Sequence, residues 1–168
     1  MEGVMGLLKL RVKRGINLAV RDTKTSDPYL VATLDTQKTK TKVIKGNCNP
    51  VWDDELTLTM RDPKAPIHIA VYDKDRFSND DRMGVAYIDV KPYIECLRMR
   101  LNLNNVPNGT KLDRVQPTKH NDLADETFII WQNGKLVQDM ILRLRDVECG
   151  EVVIQIEMVP LPGRNLNV

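Results

Sequence analysis

Six aspartates fall in two short stretches: Asp22 and Asp27 in Arg21-Asp22-Thr23-Lys24-Thr25-Ser26-Asp27-Pro28-Tyr29, and Asp73, Asp75, Asp80 and Asp81 in Tyr72-Asp73-Lys74-Asp75-Arg76-Phe77-Ser78-Asn79-Asp80-Asp81. Carboxylates gathered at one place repel one another. A pair ~4 Å apart in partly desolvated surroundings costs roughly 4 kcal/mol, so a fold that converges them normally holds a cation there. Hard oxygen donors with no His or Cys nearby select Ca²⁺ over Zn²⁺ or a redox metal. A single aspartate is ordinarily a turn residue, and Asp62, Asp113 and Asp122 are read that way. Turn chemistry does not ask for Asp-x-Asp after one strand and Asp-x₄-Asp after another. An EF-hand over residues 73–84 fails in detail. That loop needs Gly at its sixth position and a bidentate Glu at its twelfth, where Ser78 and Gly84 stand.

Elements must then deliver both stretches to one place. Residues 7–12 and 67–72 precede the two clusters, and both are β-rich. Similar runs occupy residues 29–34, 38–43, 55–60, 85–90, 136–144 and 152–159, making eight in all. Asn49-Pro50, Asp62-Pro63, Ala65-Pro66 and Cys149-Gly150 punctuate them. Short strands at this spacing predict an antiparallel sandwich. Within Lys38-Thr39-Lys40-Thr41-Lys42, alternation puts three lysines on one strand face and the threonines on the other. Read from the residues alone, such a face is a solvated one.

Residues 91–134 break the rhythm. Pro92 is placed to open a short helix with Ile94, Leu97 and Leu101 on one face, followed by a polar loop. Phe128-Ile129-Ile130-Trp131 and the turn Asn133-Gly134 predict an additional hairpin into Leu136. A segment this long is expected to have a use of its own. It either packs on the sandwich or offers a surface to another protein. Trp52 and Trp131 are assigned to packing, and Phe77, between Arg76 and Ser78, to an exposed tip.

At 168 residues the chain suits one domain with a full core, about 6–90 plus 136–160, with the insertion at about 91–134. The net charge of +2 argues against an indiscriminate nucleic-acid binder. No apolar stretch nears the ~20 residues that span a bilayer, and Met1-Glu2-Gly3-Val4-Met5 has neither a secretory nor a myristoylation pattern. Membrane contact is therefore expected to be peripheral. Cys48, Cys96 and Cys149 are widely spaced and read as reduced thiols of a cytoplasmic or nuclear protein. Neither His68 nor His120 is tied to a cysteine, and no Ser/His/Asp set or phosphate-binding glycine loop is present. An enzyme is not expected.

Ser26-Asp27-Pro28-Tyr29, Asn49-Pro50-Val51-Trp52 and Asp73-x-Asp75, following the opening Gly6-Leu7-Leu8-Lys9-Leu10-Arg11-Val12, resemble a C2 domain. More narrowly, the early first strand, the insertion before the last two strands and the ending Gln138-Asp139-Met140-Ile141-Leu142-Arg143-Leu144-Arg145-Asp146-Val147-Glu148-Cys149-Gly150-Glu151 resemble the plant C2-domain abscisic-acid-related proteins. The resemblance implies an all-β, eight-stranded antiparallel C2 sandwich of type II-like topology, with a helix and hairpin inserted before the last two strands. It implies Ca²⁺ ligands at the side chains of Asp22, Asp27, Asp73, Asp75 and Asp81, with backbone oxygens from Arg21 and Lys74. Asp80 is the alternative to Asp81. Arg76 and Phe77 form a tip suited to the headgroup boundary, and Lys38, Lys40 and Lys42 an additional lipid surface.

The implied function is a calcium-dependent, phospholipid-binding adaptor that brings abscisic acid receptors of the PYR/PYL type to the plasma membrane, with the nucleus as a second location. The alternative is a GTPase-activating regulator of a G protein, since some relatives stimulate hydrolysis by G proteins, unconventional ones included. No nucleic-acid partner is implied.

Overall fold

A computed structural model describes residues 3–21, 25–99 and 103–161. Two antiparallel sheets face each other across one apolar core. The first has the order β4 (Val51–Met60), β1 (Gly6–Ile16), β10 (Glu151–Pro160), β9 (Lys135–Arg143), β8 (Thr127–Gln132), β7 (Thr110–Val115). The second has the order β3 (Gln37–Lys40), β2 (Pro28–Leu34), β5 (Ile67–Asp73), β6 (Asp81–Ile88). Period-2 alternation sets which side chains face inward. Leu8, Leu10 and Val12 of β1 meet Leu30, Ala32 and Leu34 of β2 and Ile67, Ile69 and Val71 of β5 in that core.

All eight expected strands are present, and two more, β7 and β8, widen the first sheet. The Asn133-Gly134 turn joins β8 to β9 as a two-residue hairpin, and both residues have positive φ, 53° and 77°. That is the geometry of the turn for which Asn-Gly is selected. β7 is not among the expected strands. Its sequence, Thr-Lys-Leu-Asp-Arg-Val, is polar because it forms the sheet's outer edge, where charged side chains discourage further pairing.

The third expected strand is shorter than its alternation predicts. β3 ends at Lys40, because the Thr41 hydroxyl takes over the ladder: its Oγ1 accepts the Leu30 N–H at 3.0 Å and donates to the Lys42 carbonyl. Lys42 therefore lies beyond the strand, although Lys38, Lys40 and Lys42 are all exposed and Thr41 is buried.

Helix α1 (Lys91–Arg98) has Pro92 in its first turn, where the missing N–H costs nothing. Its inward face is Tyr93, Ile94 and Cys96, with Leu97 half-buried; Leu101 lies outside the described residues. The Tyr93 hydroxyl donates to the Leu136 carbonyl at 2.5 Å and accepts the Met158 N–H at 2.9 Å, tying the helix to β9 and β10. Leu123 and Ile129 join the same core, and Trp131 packs at its margin. The insertion is thus part of the sandwich as well as an addition to its surface. Trp52 is fully buried, and its indole N–H donates to the Pro28 carbonyl at 3.1 Å.

Candidate functional site

Strand register brings the second aspartate stretch against the first. In the pairing of β2 with β5, Pro28 stands opposite Asp73, and in the pairing of β5 with β6, Asp73 stands opposite Asp81. Asp27, Asp73 and Asp81 therefore lie at one end of the second sheet, beside residues 25–26 and the loop 74–80. Asp73 is only 2% exposed, and its Oδ1 accepts the Asp27 N–H at 2.8 Å. The Asp27 carbonyl accepts the Lys74 N–H at 3.0 Å, closing the junction from the other side.

The other carboxylates are held by nearby donors. Asp27 Oδ1 accepts the Gly46 N–H at 2.7 Å, which draws the loop 41–50 alongside. Asp75 accepts the Phe77 N–H at 3.0 Å and the Ser78 hydroxyl at 2.7 Å, and these bonds hold its carboxyl below the usual carboxylate range. Among the described residues no group of three or more His, Cys, Asp or Glu side chains is arranged to hold a metal ion. Asp22, the remaining predicted carboxylate ligand, lies outside the described residues.

Asp80 is used differently from its neighbour. Its Oδ1 accepts the Asp75 N–H at 2.8 Å, its Oδ2 accepts the Tyr29 hydroxyl, and Lys74 Nζ stands 3.7 Å away. The Asp75 N–H and then the Tyr29 hydroxyl lower the Asp80 carboxyl's pKa. Burial and that same bond raise the phenol of Tyr29. Asp81, by contrast, is exposed at the start of β6.

Two features have no counterpart in the sequence reading. Arg21 makes a bidentate pair with Glu148, at 3.0 and 2.8 Å, which links the first loop to the connection between β9 and β10. The pair holds the Glu148 carboxyl down at about 2. In addition, Tyr29 and Tyr72 stack at 5.6 Å, with Lys40 Nζ 5.9 Å from the Tyr29 ring. With Val31, Lys38 and Thr39 they line an open groove of about 440 Å³ that runs from the acidic end onto the lysine strand. The signal was available, since both tyrosines adjoin the aspartate stretches and alternation puts them on the lysines' face.

At the tip of the loop 74–80, Phe77 is 91% exposed, beside an exposed Arg76. A bare aromatic of this kind has no role in holding the loop together. Its neighbours and the acidic junction behind it define an end of the molecule that combines an apolar probe, exposed cations and hard oxygen donors. The donor chemistry fits a divalent ion such as Ca²⁺: oxygen only, from two adjoining loops, with Asp73 fixed by burial.

The sequence profile of the C2 domain family matches residues 6–108. Protein C2-DOMAIN ABA-RELATED 10 of Arabidopsis thaliana is 54% identical over 153 residues, covering 91% of this chain and 85% of that protein. Protein C2-DOMAIN ABA-RELATED 5 of the same plant is 49% identical over 166 residues, covering 99% and 82%. Among solved structures, a C2 domain of plant Extended Synaptotagmin 1 superposes with a TM-score of 0.61 at 19% identity, covering 94% of this chain and 97% of that one. The calcium-bound pair of C2 domains of Extended-Synaptotagmin 2 gives 0.64 at 19% identity, over 94% of this chain and 46% of that one. The chain belongs to the C2 domain family and, within it, to the C2-domain ABA-related proteins.

Proposed function

We propose that the protein is a calcium-dependent, phospholipid-binding adaptor that brings abscisic acid receptors of the PYR/PYL type to the plasma membrane and so promotes abscisic acid signalling. The observation that carries the lipid half is the convergence of Asp27, Asp73 and Asp81 by strand register behind the 91%-exposed Phe77. The side chains of Asp22, Asp27, Asp73, Asp75 and Asp81, with the carbonyls of Arg21 and Lys74, would hold the ion. Asp81 is taken in preference to Asp80 because strand register sets it directly opposite Asp73. When bound, calcium supplies positive charge and coordination positions that a lipid phosphate can complete.

The chain's own residues do the rest. Unscreened, the carboxylates repel an anionic leaflet. Phe77 inserts at the headgroup boundary, where aromatic rings settle, and Arg76 meets phosphates. Lys38, Lys40 and Lys42 add attraction of about 1 kcal/mol each near an anionic surface, and the tyrosine-lined groove beside them suits a headgroup. The receptor half rests on the ABA-related relatives. In this reading the protein is a regulator and not itself a catalyst. Co-sedimentation with phosphatidylserine vesicles, with calcium and with chelator, tests the reading. Binding that requires calcium supports it, and equal binding in both conditions overturns it.

A further inference from the structure

Along the outer edge of β6, away from the tip of the acidic loops, the insertion and the sandwich line a second, basic groove. Its volume is about 400 Å³, and its cations are Lys64, Lys91, Lys119 and Arg145, against the carboxylates Asp89 and Asp122. β6 runs from Asp81 to Ile88, and six steps of ~3.3 Å put Tyr87 about 20 Å along the strand from Asp81. Lys64 lies on the connection between β4 and β5, which is likewise remote from the loop 74–80.

The groove is built. Asp122 accepts Arg145 Nε at 2.8 Å and the Tyr87 N–H at 2.7 Å, so its charge is spent within the wall. Arg145 lies 5.4 Å from the Tyr87 ring, and His68 packs against that ring at 5.0 Å. Backbone bonds in both directions join Val85 to Arg145. Gly84 permits this approach, because at its φ of 114° a Cβ would come within 2.7 Å of Val147. The insertion's wall is pinned by Arg143 N–H to Asp122 carbonyl at 2.7 Å and by Asn121 accepting the Thr118 N–H at 3.0 Å.

A second observation concerns the floor. Tyr87, Asp89, Asn121 and Asp122 also line a small recess of about 30 Å³ whose other walls include Pro92, Leu123 and Met140. Gln138 lines it too; it is 2% exposed, and its Oε1 has no hydrogen-bond partner among the described residues. A buried acceptor of this kind calls for a donor. The space admits a group about the size of a water or hydroxyl.

We infer that this groove docks an acidic protein segment that presents a Ser or Thr hydroxyl among Asp and Glu residues, an inference that rests on the adaptor reading for the partner it serves. Net positive charge selects the acidic segment, exposed Tyr87 gives it a packing surface, and Gln138 Oε1 accepts its hydroxyl. A bare anion would leave the Gln138 acceptor without a donor, so the acceptor selects a hydroxyl-bearing acidic segment, with binding to a lipid surface as the alternative outcome.

The test is fluorescence anisotropy of a fluorescein-labelled ten-residue Asp/Glu peptide with one central Thr, using the full chain without calcium or vesicles, so that its outcome is independent of the lipid reading. The expected result is saturable binding by the unaltered chain, weakened at least tenfold by K64E/K91E/K119E and less than twofold by K38E/K40E/K42E. Exchanging the peptide's Thr for Val should weaken binding severalfold. Calcium-dependent vesicle sedimentation of K64E/K91E/K119E should be unchanged. No saturable binding, equal binding by K64E/K91E/K119E, loss through the lysine strand instead, equal binding of the Val peptide, or vesicle binding that falls with the groove lysines would each overturn the inference.

Discussion

At the loop end, Asp27, Asp75 and Asp80 accept backbone N–H groups of their own or adjoining loops, Asp75 and Asp80 accept the hydroxyls of Ser78 and Tyr29 as well, and Phe77 stands in solvent. In the insertion, Tyr93, Ile94, Leu123 and Ile129 lie inside the core and β8 is laced to β9. The contrast separates what can be changed freely from what cannot. Apart from the buried Asp73, side chains at the loop end act outward, so their replacement should alter binding and spare the fold. The insertion carries both a surface and part of the core, so only its exposed residues can be changed without unfolding the chain.

The largest expected effect on stability therefore lies in the insertion. Ile129→Ala should cost about 2–5 kcal/mol in urea or thermal unfolding, with calcium-dependent vesicle binding retained at temperatures where the variant is folded. A cost below about 1 kcal/mol would mean that the insertion is peripheral. Tyr93→Phe leaves the Met158 N–H and Leu136 carbonyl unpaired in the interior and should cost about 1–3 kcal/mol. Among the proposed lipid contacts, Lys38, Lys40 and Lys42 together would be worth about 3 kcal/mol near an anionic surface. Replacing them with Glu should weaken sedimentation with phosphoinositide-rich vesicles more than with phosphatidylserine vesicles. Equal losses would reduce them to general attraction, and no loss to a solvated face. Phe77→Ala should leave unfolding within about 0.5 kcal/mol of the unaltered chain. It should still reduce vesicle affinity about tenfold, from the transfer of one aromatic ring. Smallest is Arg21→Gln, which breaks an exposed ion pair and should cost no more than about 1 kcal/mol.

The same contrast explains what could be read from the chain itself. The eight sandwich strands were legible because each carries period-2 alternation between breakers, and the helix because Pro92 opens it. β7 was not, since an edge strand needs few apolar residues and takes its conformation from β8. The early end of β3 depends on one hydroxyl, that of Thr41, whose partner Leu30 is set by pairing with β2. At the loop end, the positions of Asp27 and Asp73 followed from strands that deliver them. The division of labour between Asp80 and Asp81 did not, because Tyr29, which takes one Asp80 oxygen, comes from another strand. The pairing of Arg21 with Glu148 is likewise a product of three-dimensional proximity across 127 positions of sequence. The basic groove was invisible for the same reason: its lysines come from three separate segments.

The central claim is that the two aspartate stretches form one calcium-responsive lipid site, and the double variant D22A/D73A tests it most directly. Vesicle co-sedimentation should be measured with calcium and with chelator, after circular dichroism has confirmed a folded sandwich. The account predicts that the calcium-dependent fraction disappears, with any residual binding the same in both conditions. Calcium-dependent sedimentation undiminished in the folded double variant would contradict it.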